Sequence, residues 1–170
     1  VAGEGLHYTT DARVVCLSLR PGSEGKILWT HRTRSHVECT PVIADGKVYV
    51  GAGDDGYYCL ALEPGADGKA RVIWHAPGEK YPDAETALVV HDGKVYAGLG
   101  AGGNAICVLD AETGQELQRM TTPYPVFGPP AIAEGRLYVG MGHGDYVHSA
   151  AELGLPAAGE MWCIDLSNFT

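Results

Sequence analysis

Short apolar runs separated by polar turn residues form the dominant pattern along the chain. The runs are rich in Val, Ile, Tyr and Leu, and turn signals such as Asp45-Gly46 and Asp92-Gly93 stand between them. Runs of this kind, bounded by Asp-Gly pairs, predict β-strands joined by tight hairpins. The pattern leaves almost no room for helix, so we expect an all-β, antiparallel protein.

An internal repeat organises these strands. The sequence Gly-Lys-Val-Tyr-Val-Gly at 46–51 returns as Gly-Lys-Val-Tyr-Ala-Gly at 93–98 and as Gly-Arg-Leu-Tyr-Val-Gly at 135–140, with offsets of 47 and 42 residues. Related segments precede and follow each copy, which makes a module of four predicted strands. The first strands of the modules are predicted at 40–43, 86–89 and 129–132; the third at 15–17, 58–60, 106–108 and 162–164; and the fourth at 26–31, 70–75 and 116–121.

Four strands in a repeat of about 40 to 50 residues are typical of a β-propeller blade. We predict blade units at 5–33, 37–76, 85–122 and 129–167, with three, four, four and three strands, because Gly5-Leu6-His7-Tyr8 matches the later second strands. The chain is therefore expected to form about 3.5 blades of a partial propeller. Incomplete blades would expose apolar faces and strand edges. We expect either a segment of a longer polypeptide or completion of the ring by another chain.

Four cysteines recur in the predicted third strands, at Cys16, Cys59, Cys107 and Cys163. We expect them at equivalent positions in successive blades, where small apolar side chains suit close sheet packing. Neighbouring sheets lie about 10 Å apart, which is too far for a disulfide. Four reduced, buried thiols are predicted. An antiparallel sandwich, the alternative fold, gives no reason for this recurrence.

Composition and charge narrow the possible partners. The 170 residues are 45% hydrophobic and include 24 glycines, and the net charge is −9. A negative chain repels phosphate backbones and anionic lipid, so a nucleic-acid partner is not expected. Charged or glycine residues interrupt every apolar run, so no membrane span is expected.

One turn carries a family resemblance. The segment 108–114, with Asp110, Thr113 and Gly114, resembles the A-x-D-x-x-T-G core of the repeat in pyrroloquinoline-quinone-type (PQQ-like) propellers. That pattern ends in a docking Trp, whose place Gln118 occupies here. Earlier units keep the aromatic residue as Trp29 and Trp74. The resemblance implies a propeller in which Thr-Gly forms the turn and each Trp lies across the gap to a neighbouring blade.

The resemblance leaves two functions open, because the same repeat builds quinoprotein dehydrogenases and propellers that bind no quinone, such as a scaffold lipoprotein of outer-membrane assembly. We favour a noncatalytic binding or scaffold platform with no cofactor, whose partner is a protein or the remaining blades. The alternative is part of a PQQ-dependent dehydrogenase that oxidises alcohols or sugars and also binds calcium. Relatives of this kind are commonly extracytoplasmic in bacteria, so the resemblance implies a periplasmic or otherwise extracytoplasmic location.

One insertion is a candidate metal site. His143, Asp145 and His148 lie in extra residues between the second and third strands of the last unit. Two imidazoles and a carboxylate suit zinc or another transition metal. The alternative is a solvated loop with ordinary surface histidines. Asp54-Asp55-Gly56, which resembles a fragment of a calcium loop, is interpreted as a hairpin turn.

Overall fold

The chain folds into four small antiparallel sheets in a computed structural model that describes residues 1–6, 9–143, 154 and 158–169. The sheets contain three, four, four and three strands, as the repeat predicted. They follow one another as blades of a β-propeller and do not close into a ring. Among the described residues, no helix has the length and apolar character needed to cross a bilayer.

Each sheet is built from consecutive strands. Sheet I contains β1 (Ala2–Gly3), β2 (Ala12–Leu17) and β3 (Ile27–Thr33). Sheet II contains β4 (Val42–Ala44), β5 (Lys47–Gly51), β6 (Gly56–Ala61) and β7 (Val72–Pro77). Sheet III contains β8 (Val89–His91), β9 (Lys94–Leu99), β10 (Ala105–Asp110) and β11 (Glu116–Thr121). Sheet IV contains β12 (Ala131–Ala133), β13 (Arg136–Gly142) and β14 (Gly159–Asp165), and a short 3₁₀ helix, Leu166–Phe169, follows it.

The strands run from the centre outwards in chain order. The short first strands β4, β8 and β12 contact one another in sequence, which places them on the inner side, and β7 and β11 form the outer edges. Tight turns join the first and second strands. Asp45 and Gly46 have φ values of 48° and 70°, and Asp92 and Gly93 have φ values of 47° and 70°. Positive φ at both central residues matches the right-handed twist of a hairpin.

The hydrophobic core lies between the sheets. Because each sheet has a neighbour on one or both sides, separate clusters fill the gaps between sheets I and II, II and III, and III and IV. All six residues of β6 are buried, since sheet II is covered on both faces. Residues of β14 are mostly exposed, and Met161 is 73% exposed.

The positions of two cysteines differ from the prediction. All five cysteines are free, but Cys163 is exposed, because its face of sheet IV has no further sheet against it among the described residues. Cys59 pairs with Tyr49, whereas Cys107 pairs with Ala97. Cys107 is therefore shifted by one residue from the equivalent position and points to the other face of its sheet, as a register shift of one requires.

The beginning of the chain also differs from the prediction. The second strand of the first blade is Ala2–Gly3, which pairs with Val14 and Val15, rather than the segment that starts at Gly5. Gly5 lies outside the strand with a φ of 98°. A Cβ on Gly3 would collide with Val37, and this close approach requires glycine.

Candidate functional site

Three loops build one rim of the partial propeller. Segments 34–41, 78–88 and 122–130 each connect the outer strand of one sheet to the inner strand of the next. We call the surface formed by these loops the crossover rim. The loops pass close to the second strands, where a Cβ on Gly51 would collide with the backbone oxygen of Ala84. Glycine at position 51 thus allows the 78–88 loop, which carries Glu85, to lie directly against β5.

Equivalent residues of the three loops meet at a cleft. Glu38, Glu85 and Phe127 are separated by the repeat offsets of 47 and 42 residues. Together with Gly128 they line an open cleft of about 370 Å³. Phe127 is 37% exposed, so an aromatic face lies beside two carboxylates.

A buried histidine stands behind the cleft. His36 is 4% exposed, and its Nε2 lies 2.6 Å from Oε1 of Glu85. Its Nδ1 lies 3.2 Å from the Ser35 hydroxyl. One donor atom each from His36, Glu38 and Glu85 falls within 4.8 Å of the others. Two loops from different blade junctions therefore bring an imidazole and two carboxylates together.

A further carboxyl group, that of Asp83, lies beside Glu85. Burial, together with the nearby Glu85 carboxylate, raises the pKa of Asp83 to about 7. The Asp83 backbone N–H donates a hydrogen bond of 3.3 Å to Asp54. Because its pKa is raised, Asp83 is partly protonated near neutral pH and adds less than a full negative charge to the crossover rim.

A second polar cluster links sheets I and II near the same rim. The buried Asp55 carboxylate accepts hydrogen bonds from the Arg34 backbone N–H at 2.8 Å, the Arg34 Nε at 2.7 Å and the Tyr58 hydroxyl at 2.8 Å. Burial opposes ionisation of Asp55, but these donors hold its pKa below the usual value. His75 stacks on Tyr58 with ring centroids 4.0 Å apart. Asp55 thus lies in the predicted turn and also anchors the loop that carries His36.

The opposite rim holds the residues predicted to dock the blades. Trp29 Nε1 donates to the Leu62 carbonyl at 2.8 Å, and Trp74 Nε1 donates to the Ala111 carbonyl at 3.0 Å. Gln118 follows the same bulge position in its strand, and its amide donates to the Asn168 carbonyl at 3.1 Å. Each side chain crosses to the following sheet.

The Asp-Thr-Gly turn supports the second of these contacts. The Asp110 carboxylate accepts hydrogen bonds from the Thr113 backbone N–H and hydroxyl, both at 2.8 Å. The hydrogen bond from the Thr113 hydroxyl and, to a lesser extent, the one from its backbone N–H lower the pKa of Asp110. Gly114 has a φ of 71° and lies against the Trp74 ring. Trp29, Trp74 and Gly114 thus contact a neighbouring blade, whereas Asp110 and Thr113 hydrogen-bond within their own turn.

Comparison with known proteins identifies the family. Residues 66–165 match the family described as outer membrane protein assembly factor BamB. The chain belongs to the BamB family. A search of curated proteins gives no match.

Solved structures share the fold of this BamB-family chain. BamB from Moraxella catarrhalis is 15% identical with a TM-score of 0.65, and the match covers 93% of this chain and 41% of that one. The quinohemoprotein alcohol dehydrogenase ADHIIG from Pseudomonas putida HK5 is 22% identical with a TM-score of 0.64, covering 82% of this chain and 20% of that one. The computationally designed Ika4 protein is 21% identical with a TM-score of 0.58, covering 83% of this chain and 74% of that one. The chain thus spans less than half of the two natural proteins.

The cleft does not fit the quinone that some PQQ-like propellers bind. Pyrroloquinoline quinone carries three carboxylates, which need cationic or N–H donors. The cleft instead presents the carboxylates of Glu38 and Glu85. Like charges would oppose binding here.

The predicted metal ligands of the insertion are only partly placed. The His143 ring packs edge-on against Tyr124, with centroids 5.4 Å apart. Asp145 and His148 lie outside the described residues, so this site stays a prediction.

Sequence analysis missed the cluster of His36, Glu38 and Glu85. The signal was present, because Glu38 and Glu85 share the 47-residue offset of the Gly-Lys-Val-Tyr copies. Extending the repeat alignment backwards into the loops would have paired the two glutamates.

Proposed function

We propose that the chain is part of a noncatalytic BamB-family propeller that acts as a binding or scaffold platform, with a protein partner at the crossover rim. The observation that carries this proposal is the cleft where Glu38, Glu85 and Phe127 converge from successive blades. An exposed aromatic ring beside two carboxylates suits a polypeptide segment that presents a basic side chain next to an apolar one. The family description, an outer-membrane assembly factor, agrees with binding as the main role.

The chemistry of the buried groups also favours binding over catalysis. Burial raises the pKa of the Cys39 thiol to about 11 and those of Cys59 and Cys107 to about 12. Such thiols stay protonated and are poor nucleophiles at neutral pH. Asp55 is engaged with Arg34 and Tyr58 in holding a loop.

The open sheets define a second kind of partner. Sheets I and IV have three strands each, and sheet IV exposes Met161. We propose that further blades, of the same polypeptide or of another chain, cover these sheets. An extracytoplasmic location belongs to the same proposal and is supported by the outer-membrane role in the family description.

Site-specific photo-crosslinking tests the binding role. A photoreactive amino acid replaces Phe127 in the full-length protein in its native cells, and the matched control replaces Leu117, which is 49% exposed on the outer strand β11. We expect a discrete protein adduct from position 127 that is lost in the Glu38→Gln/Glu85→Gln variant, and none from position 117. The absence of an adduct at 127, or equal adducts at both positions, would overturn the proposal.

The dehydrogenase alternative has a separate readout. The dehydrogenase structures share the fold of this chain. A quinone absorption band in the native full-length protein, together with calcium-dependent dye reduction by alcohols or sugars, would replace the scaffold proposal with the enzyme. We expect neither signal.

A further inference from the structure

We propose that His36, Glu38 and Glu85 form a binding site for one divalent transition-metal ion at the crossover rim. The site is distinct from the predicted set in the insertion, and it adds a ligand to the binding role proposed above. Its donors come from the loop between sheets I and II and the loop between sheets II and III. A bound ion would therefore connect two successive blade junctions.

The distances between the donor atoms are close to those that a metal requires. Zinc bonds to nitrogen and oxygen are about 2.0 to 2.2 Å, which places tetrahedral ligand atoms about 3 to 3.5 Å apart. The three donors already lie within 4.8 Å of one another, and the His36 Nε2 to Glu85 hydrogen bond of 2.6 Å would lengthen as an ion enters between the two atoms. Shifts of about 2 Å or less would bring the donor atoms to these separations.

Ser35 and Gly53 hold the His36 imidazole in an orientation that suits metal binding. A metal ion would displace the proton that His36 Nε2 and Glu85 share, and Nδ1 can carry the remaining proton towards the Ser35 hydroxyl, 3.2 Å away. Gly53 lies against the ring, and a Cβ there would be 2.8 Å from Cε1 of His36. The ring is held between a loop glycine and a hydroxyl partner, which reduces the entropy lost when a metal binds.

The donor set selects the class of ion. One imidazole and two carboxylates suit Zn²⁺, Mn²⁺ or Fe²⁺, whereas Ca²⁺ prefers six to eight oxygen ligands. Two carboxylates neutralise the charge of a divalent ion. Glu38 and Glu85 also line the open cleft, so an ion can reach these carboxylates from solvent.

The combination of one histidine and two glutamates occurs at only one junction among the described loops. At the next junction the equivalents of His36, Glu38 and Glu85 are Asp83, Glu85 and Phe127. The imidazole is missing there, because a carboxyl group takes its place, and a phenyl ring stands in the position of the second glutamate. The repeat therefore supplies an internal comparison, in which equivalent loop positions lack the imidazole.

Calorimetric titration of the metal-free chain with Zn²⁺ tests the site, and Co²⁺ absorption reports its geometry. We expect one equivalent bound in the wild type and at least about tenfold weaker binding in Glu38→Gln and in His36→Gln, because each removes one of few ligands. His91→Gln is the matched control and should bind as the wild type does, and His143→Gln distinguishes this site from the one predicted in the insertion. Ca²⁺ should not compete.

Thermal unfolding with and without Zn²⁺ separates loss of a ligand from loss of the fold. Zn²⁺ should raise the Tm of the wild type and leave that of folded Glu38→Gln nearly unchanged. Stoichiometric binding that survives Glu38→Gln and His36→Gln, binding that is lost only in His143→Gln, or no binding by the wild type would overturn the proposal. Crosslinking at Phe127 in the presence of a chelator tests the protein partner independently.

Discussion

Gly114 lies directly against the indole of Trp74, so that a Cβ at position 114 would be 2.6 Å from the ring atom Cδ2. The two residues belong to neighbouring sheets, and the Trp74 Nε1 donates to the Ala111 carbonyl beside the same turn. Glycine is thus required at position 114 for two reasons. The backbone adopts a φ of 71°, and the missing side chain leaves room for the indole of the preceding blade.

A comparison of Gly114→Ala with Gly93→Ala separates the cost of backbone strain from the cost of steric overlap with the indole. Gly93 has a φ of 70°, but nothing lies within 4 Å of its added Cβ. Both variants should lose about 1 kcal/mol from backbone strain, and Gly114→Ala should lose about 1 to 3 kcal/mol more from overpacking. Chemical denaturation measures both free energies of unfolding. Equal losses would mean that the indole moves aside freely.

Trp74→Phe tests the contact from the other side. The variant removes the 3.0 Å hydrogen bond to Ala111 and part of a buried ring. A loss of about 2 to 3 kcal/mol in the free energy of unfolding is expected. Trp162→Phe is the control, because Trp162 donates to Glu160 of its own strand and should cost less than about 1 kcal/mol. Comparable losses would contradict a docking role for Trp74.

The cysteines should differ sharply in reactivity. Cys163 is exposed, whereas the other four thiols are buried. In the 170-residue chain without a covering blade, a thiol reagent should label one cysteine rapidly and all five only after unfolding. Peptide mass spectrometry identifies the labelled site, and Cys163→Ser should abolish the fast phase. Rapid labelling of Cys59 or Cys107 would show that the sheets separate readily.

The stability of the fold should fall below neutral pH through His31. Burial lowers the pKa of His31 from 6.5, the Asp55 carboxylate opposes that shift, and His75 adds to it. Because the unfolded state then binds the proton more readily, the stabilisation is complete above about pH 6.5 and declines as the pH falls below it. His31 packs edge-on against Tyr58, so His31→Phe retains an aromatic ring there.

Urea unfolding at pH 7.5 and 5.5 measures this effect. The loss of stability between the two values should be smaller in His31→Phe, by less than about 1 kcal/mol because the ring is only partly buried. His91→Gln, at an exposed histidine, should retain the wild-type pH dependence. An unchanged dependence in His31→Phe would assign the effect to other groups.

The sequence predicted the regular part of this fold well because strands and turns are encoded locally. Asp-Gly pairs marked the hairpins, and the repeated Gly-Lys-Val-Tyr marked the second strands. The error at Cys107 has a simple cause. Tyr96, the equivalent of Tyr49, pairs with Val108, which follows Cys59 by 49 residues, whereas Cys107 follows it by 48, and that one residue reverses the face of the sheet.

The candidate site was less predictable because it depends on contacts between loops. His36 and Glu85 are 49 residues apart, and no local pattern joins them. Only the closure of two successive blade junctions brings their side chains to 2.6 Å. The sequence identifies Asp55 only as a turn residue. Its burial depends on the contact with Arg34 of the 34–41 loop, which no local pattern reveals.

The complete burial of β6 restricts how this chain can diverge. Every substitution in Gly56–Ala61 meets a packed sheet on one side or the other, so neither face tolerates a polar or larger side chain. In β11, exposed and half-buried positions alternate, which leaves one face free to vary. Successive blades should therefore drift apart fastest along their outer strands and slowest along third strands that are buried on both faces, as β6 is.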